Sequence, residues 1–147
     1  MKALRGLLCG ATLATAVGAH GTEPVAVDYM TNCQGCHLPD GSGMASRGVP
    51  SLRAHMGHFL TVDGGREFLV RVPGAAMSDL DDARLAAVLN WMLTQFDPRG
   101  LPHDFAPYAA DEVAALRATP LIDVKSTRAA LIRSIEAART DVEGTRP

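Results

Sequence analysis

Long apolar runs are almost absent from this 147-residue chain. One occurs at residues 7–17 and no second follows; it is shorter than the about 20 residues a bilayer crossing requires, so no membrane span is expected. Clustered positive charge is also missing. Fourteen Lys and Arg stand against sixteen Asp and Glu, a formal net charge of −2, which argues against a nucleic-acid partner. Cysteine is scarce, with three residues at positions 9, 33 and 36. No cysteine downstream could complete a four-thiolate zinc site or a disulfide framework. Internal repeats and low-complexity tracts are absent, and a chain of this length suits one small domain.

The single apolar run has a specific reading. Lys2 and Arg5 precede it, and small residues, Val17-Gly18-Ala19, close it. A charged start, an apolar centre and a small-residue end describe a cleavable secretory signal peptide, here residues 1–19. Cys9 would leave with it, so only Cys33 and Cys36 remain after export, and no stray thiol enters an oxidising compartment. Periplasmic localisation is the expectation.

The remaining cysteines sit in Asn32-Cys33-Gln34-Gly35-Cys36-His37. Two cysteines three apart with a histidine after the second form the C-x-x-C-H pattern of covalent haem attachment. On a helical turn, residues i and i+3 share a face, so both sulfurs can form thioethers to one porphyrin. His37 then falls under the iron as proximal ligand. Gly35 leaves room for the macrocycle to approach the backbone. The plainer readings are a redox dithiol, a zinc half-site or a disulfide. The first needs strand–helix–strand patterning, the second another ligand pair, and the third leaves His37 unexplained. One haem c per chain is therefore expected.

Around the motif the periodicity is helical. Val25, Tyr29 and Met30 place a first helix over residues 25–36, after a frayed lead-in at 20–24. The stretch from Asp40-Gly41-Ser42-Gly43 to Gly48-Val49-Pro50 reads as a loop bending round a flat ligand. The Pro50 carbonyl can accept a bond from the far nitrogen of His37 and fix the ring; that Pro50 only ends the loop is the equal alternative. Asp63 is the expected cap of a short helix over 64–72, with Phe68, Leu69 and Val72 inward, broken by Pro73-Gly74. Leu85, Val88, Leu89, Met92, Leu93 and Phe96 then mark one face of the clearest helix, with Asp79, Asp81 and Asp82 at its start and Pro98 and Gly100 beyond its end. Trp91, the one tryptophan, borders that stripe and can pack on the first helix or the haem edge.

A sixth iron ligand is sought in a loop facing the open side of the haem. Met77, in Pro73-Gly74-Ala75-Ala76-Met77-Ser78, lies 40 residues after His37 and just before the last core helix. A thioether there raises the reduction potential. Met44, Met56, His55 and His58 are rival ligands, and an open site is the remaining alternative.

With these parts in order, residues 25–97 resemble the class I c-type cytochromes. The resemblance rests on Cys33 to His37 in an N-terminal helix, the Val49-Pro50 turn, and Met77 followed by a C-terminal helix beginning near Leu80. It departs at Ala76 and Ser78, where the family often has proline beside the methionine. It implies an all-α cytochrome c fold packed around haem, one edge exposed, over a domain of residues 20–97. A core of that size normally needs a staple, which covalent haem supplies. Residues 98–147 are expected to lie outside the family pattern: a proline-rich connector over 98–107, short helices over 109–117 and from Asp123 to about 139, and a disordered end over 144–147. The two helices cannot bury their faces alone, so they either wrap back onto the core or dock a redox partner.

Two function classes follow. One is a monomeric periplasmic electron carrier, not an enzyme, working between a dehydrogenase or oxidase and the respiratory chain. The other is a haem enzyme or a gas or peroxide sensor with an open distal site. For either, intact-mass measurement of the exported protein should return the chain from residue 20 plus one haem that resists acid–acetone extraction. Extractable haem would contradict the attachment.

Overall fold

A computed structural model describes residues 24–144. The expected signal peptide, residues 20–23 of the expected lead-in and residues 145–147 lie outside the described residues, and Pro24, the last of that lead-in, belongs to the first helix. Among the described residues seven helices follow in order: α1 Pro24–Asn32, α2 Gln34–His37, α3 Gly65–Arg71, α4 Pro73–Ala76, α5 Asp82–Phe96, α6 Ala110–Arg117 and α7 Val124–Gly144, with 3-10 turns at Ala45–Arg47 and Gly57–Thr61. Among the described residues the only β feature is an antiparallel bridge between Met44 and Val49. The fold is all-α.

α5 is the axis of the core. The Asp81 side chain caps it by accepting from the Arg84 N–H at 2.8 Å, satisfying one of the orphan donors of a helix start. The apolar stripe then goes inside: Leu85, Val88, Leu89, Met92 and Leu93 are all buried. Each such side chain contributes roughly 1.5–3 kcal/mol of burial. α1 packs on one side of α5 and α6 on another, while α3 packs on α6 and on the Gly57–Thr61 turn, which α7 also covers. Leu80 and Phe68 join the same cluster.

The first expected helix is interrupted. α1 stops at Asn32, and Cys33 takes φ −122°, ψ −37° before α2 begins. Asn32 Nδ2 donates to the Asp28 carbonyl at 2.9 Å and Thr31 Oγ1 to that of Val27 at 3.0 Å. The expected Asp63 cap is also corrected. Gly64, at φ +78°, precedes α3, with no side-chain cap. The reason is crowding: a Cβ on Gly65 would overlap the Phe59 carbonyl oxygen, so the helix starts pressed against backbone. Pro73 does not simply break structure. It opens the single turn α4, where a missing N–H costs nothing. The last helix runs past residue 139 to Gly144, which therefore is helical rather than disordered.

The tail packs back on the core, as the plainer of its two readings anticipates. Tyr108, Val113, Leu131 and Ile135 are buried in the same cluster as the α5 stripe. Its connector has no periodicity because polar bonds hold it. Tyr108 exchanges two backbone bonds with the Asn90 side chain, at 2.8 and 3.0 Å. Its hydroxyl donates to the Arg66 carbonyl at 2.8 Å, and the Arg66 guanidinium lies 4.0 Å above its ring. Arg66 also pairs with Glu112 of α6 through two bonds, 2.5 and 2.7 Å. The Arg71 carbonyl and Nε hold Leu121 N–H and the Thr119 carbonyl, both at 2.8 Å.

The Arg66–Glu112 pair makes stability depend on acid. Hydrogen bonding to Arg66 holds the Glu112 carboxyl below its ordinary 4.5. A folded-state value below the unfolded one stabilises at neutral pH and is lost as pH falls through the folded value. Melting temperature should therefore drop on acidification below the usual glutamate range. Glu112→Gln should melt lower at neutral pH and show a shallower acid slope; an unchanged slope would contradict the assignment.

Candidate functional site

The two thiols and His37 share one turn. Cys36 N–H donates to the Cys33 carbonyl at 3.1 Å and His37 N–H to the same oxygen at 3.0 Å, so the turn is closed despite the break at Cys33. Cys33 is half-buried, Cys36 is exposed, and the sulfurs are not bonded to each other. Burial, then the charges of Asp28 and Cys36, push the Cys33 thiol up to about 11. A reactive redox cysteine has its thiol pKa lowered; that of Cys33 is shifted the other way. Among the described residues no three His, Cys, Asp or Glu side chains gather where a metal ion could sit.

His37 Nδ1 is buried and has no hydrogen-bond partner. Burial lowers the pKa of His37, and the Pro50 carbonyl acts in the opposite direction, so that carbonyl lies close enough to act on the ring. The loop between them is tightly folded. Gly43, at φ +72°, donates its N–H to the His37 carbonyl at 3.1 Å. A Cβ there would overlap the Pro50 carbonyl, so only glycine fits.

Immediately after His37, Leu38 takes φ +62° with ψ 162°, a region that a residue with a Cβ enters only at a cost of about 1–3 kcal/mol. Its carbonyl is held by the Tyr29 hydroxyl, donating at 2.5 Å. Burial pushes that phenol up to about 12, so it remains a donor at any physiological pH. Tyr29 itself packs at a tilt against Trp91, 5.1 Å, and Phe96, 5.2 Å between centroids. Beside it, Asp28 receives both Nε and Nη2 of Arg84, which holds its carboxyl below the ordinary range. Neither the hydroxyl bond nor the α1–α5 ion pair has a signal in the sequence, where Tyr29 reads only as a helical apolar position.

The distal candidates separate by burial. Met56 is 4% exposed and belongs to the core, whereas Met77, at the end of α4, is 72% exposed. Met44 is held in the bridge with Val49, and His55 is exposed. His58 borders a 640 Å³ surface concavity with Arg53, Phe96 and Gly100, which none of Cys33, Cys36, His37 or Met77 lines. Trp91 is half-buried between Tyr29 and Phe96. The backbone flanking Met77 is held from the tail. Arg117 donates to the carbonyls of Ala76 at 3.0 Å, Ser78 at 2.7 Å and Leu80 at 2.7 Å, and to Asp82 Oδ1 at 3.1 Å. No sequence signal points to Arg117, because three of its four acceptors are backbone oxygens 37 to 41 residues away.

These residues fit a haem. A Cβ at Gly35 would meet no protein atom within 4 Å, leaving the motif turn open to a flat ligand. His37, directly after the second cysteine, carries a buried ring nitrogen left without a partner by the protein.

No protein-family profile matches the chain. Two similar proteins are both named Cytochrome c-552, from Thermus thermophilus. One is 32% identical over 133 residues, covering 78% of this chain and 84% of the relative. The other is 32% identical over 107 residues, covering 60% and 81%. Since 78% of 147 residues is about 115, more than residues 1–97 hold, the first similarity reaches into the tail. The tail expected to lie outside the family pattern is in part shared with that relative.

The Tyr29–Leu38 bond is open to test. Tyr29→Phe keeps the ring and leaves the strained carbonyl without its donor, at a cost of about 1–3 kcal/mol. Denaturant titration of the haem-loaded protein should show that loss; a change below about 0.5 kcal/mol would contradict it.

Proposed function

Starting from the fact that the chain belongs to the class I c-type cytochromes, we propose that it carries single electrons in the periplasm, between a dehydrogenase or oxidase and the respiratory chain. Membership makes it an electron carrier with covalently bound haem c. Export, the partner and the monomeric state belong to the proposal. The observation that carries it is the closed turn bearing Cys33, Cys36 and His37 over an open Gly35.

Bound haem c supplies one-electron exchange at its iron. The chain's residues set the conditions. Cys33 and Cys36 would hold the group through thioethers, so that it could not dissociate during turnover. His37 would supply an imidazole nitrogen to the iron, and the Pro50 carbonyl acts on that ring. A partner on the ring's other nitrogen fixes orientation and raises ligand basicity. Met77 would supply the sixth ligand: its thioether is exposed, whereas that of Met56 is committed to the core. A thioether ligand favours the reduced iron and would exclude exogenous molecules. Trp91, half-buried on α5, would be an aromatic neighbour of the group.

Met77→Ala should lower the reduction potential, erase the weak far-red sulfur-to-iron band of the oxidised protein and let the reduced protein take up carbon monoxide. Met56→Ala and Met44→Ala should keep the band. An unmutated protein that lacks the band and binds carbon monoxide readily would replace the carrier by an enzyme or sensor with an open distal site.

A further inference from the structure

We infer that Arg117 is a positioning residue for the distal ligand, so that the C-terminal tail helps set the redox chemistry of the haem. The inference deepens the assignment of Met77 and rests on it. α4 is a single turn, Pro73–Ala76, and one turn cannot hold its own conformation. Its local bonds are those of one turn: Ala75 and Ala76 N–H to the Val72 carbonyl, both at 2.9 Å, Met77 N–H to Pro73 at 3.0 Å and Ser78 N–H to Ala75 at 3.1 Å. Further restraint comes from outside. The guanidinium of Arg117 contacts the carbonyls of Ala76, Ser78 and Leu80, one residue before, one after and three after the methionine. Nη1 also reaches Asp82, at the start of α5, at 3.1 Å.

The chemistry suits arginine and no other side chain. Three nitrogens of one planar group are engaged in four bonds, which a lysine ammonium cannot reproduce. The side chain is only 16% exposed, so water competes poorly for these oxygens. The anchor behind it is firm. α6 is fixed by fully buried Val113 and by the Arg66–Glu112 pair.

A ligand on a mobile turn binds in proportion to the time that turn spends in its binding-competent form. Arg117 raises that fraction for Met77 without touching the iron. Its loss therefore weakens the sulfur bond while the thioethers and His37 stay as they are.

The test uses the exported, haem-loaded protein and compares Arg117→Ala, Arg117→Lys and Ile135→Ala with the unmutated chain. Arg117→Ala should weaken the far-red band, lower the reduction potential and speed carbon monoxide uptake about tenfold, equivalent to 1.4 kcal/mol of turn opening. Arg117→Lys, which retains the charge but not the fork, should recover part of each. Ile135→Ala, which loosens the tail at α7 and away from α6, should lower the melting temperature and leave band and potential unchanged. If the Arg117 variants only melt lower, or if Ile135→Ala moves the band equally, Arg117 is merely structural and the inference fails. If the unmutated protein lacks the band and Met77→Ala changes nothing, the assignment of Met77 has failed, and the role of Arg117 falls with it.

Discussion

The contact between α1 and α5 fixes the haem-binding turn in space. Tyr29 reaches across it, its ring against Trp91 and Phe96 and its hydroxyl on the Leu38 carbonyl. Phe96 in turn supports the loop beyond. A Cβ at Gly41 would lie 2.8 Å from its ring, so the glycine lets the backbone settle directly on the aromatic face. Asp28 and Arg84 tie the same two helices beside this cluster. His37 therefore sits between two restrained segments, one ending at Tyr29 and one closing through Gly43 on Pro50. A histidine held on both sides can present one nitrogen in a constant direction, as an iron ligand requires.

The tail extends the same logic to the turn around Met77. Val113, Leu131 and Ile135 join the core, and Arg66, Arg71 and Arg117 each bond backbone of the connector, the α6–α7 link or the Met77 turn. Apolar burial supplies the adhesion, and arginine bonds to carbonyl oxygens supply the register. Similarity to the Thermus relative extends into this region, so the family likeness is not confined to the helices nearest the motif.

What the sequence makes legible is local chemistry. Cys33, Cys36 and His37 announce themselves by spacing, and the α5 stripe by its period, because both signals lie within a few turns of one helix. The break at Cys33 is not legible, since neither proline nor glycine stands at residues 31–34 to mark it. Nor is the start of α3, which is dictated by the proximity of Gly65 to Phe59 rather than by a capping side chain. Tyr29, Arg84 and Arg117 are hidden for a related reason. Their partners lie 9, 56 and 35 to 41 residues away, and the carbonyl oxygens that Tyr29 and Arg117 bind leave no mark on the sequence that bears them.

The central claim is that one turn, Cys33 to His37, binds one haem through two thioethers and an imidazole. The alkaline pyridine spectrum of the reduced, purified protein tests it most directly, because its main band shifts with each vinyl group converted to a thioether. Two saturated vinyls, at one haem per chain, are the expected result. A spectrum with both vinyls intact, or with only one converted, would contradict it.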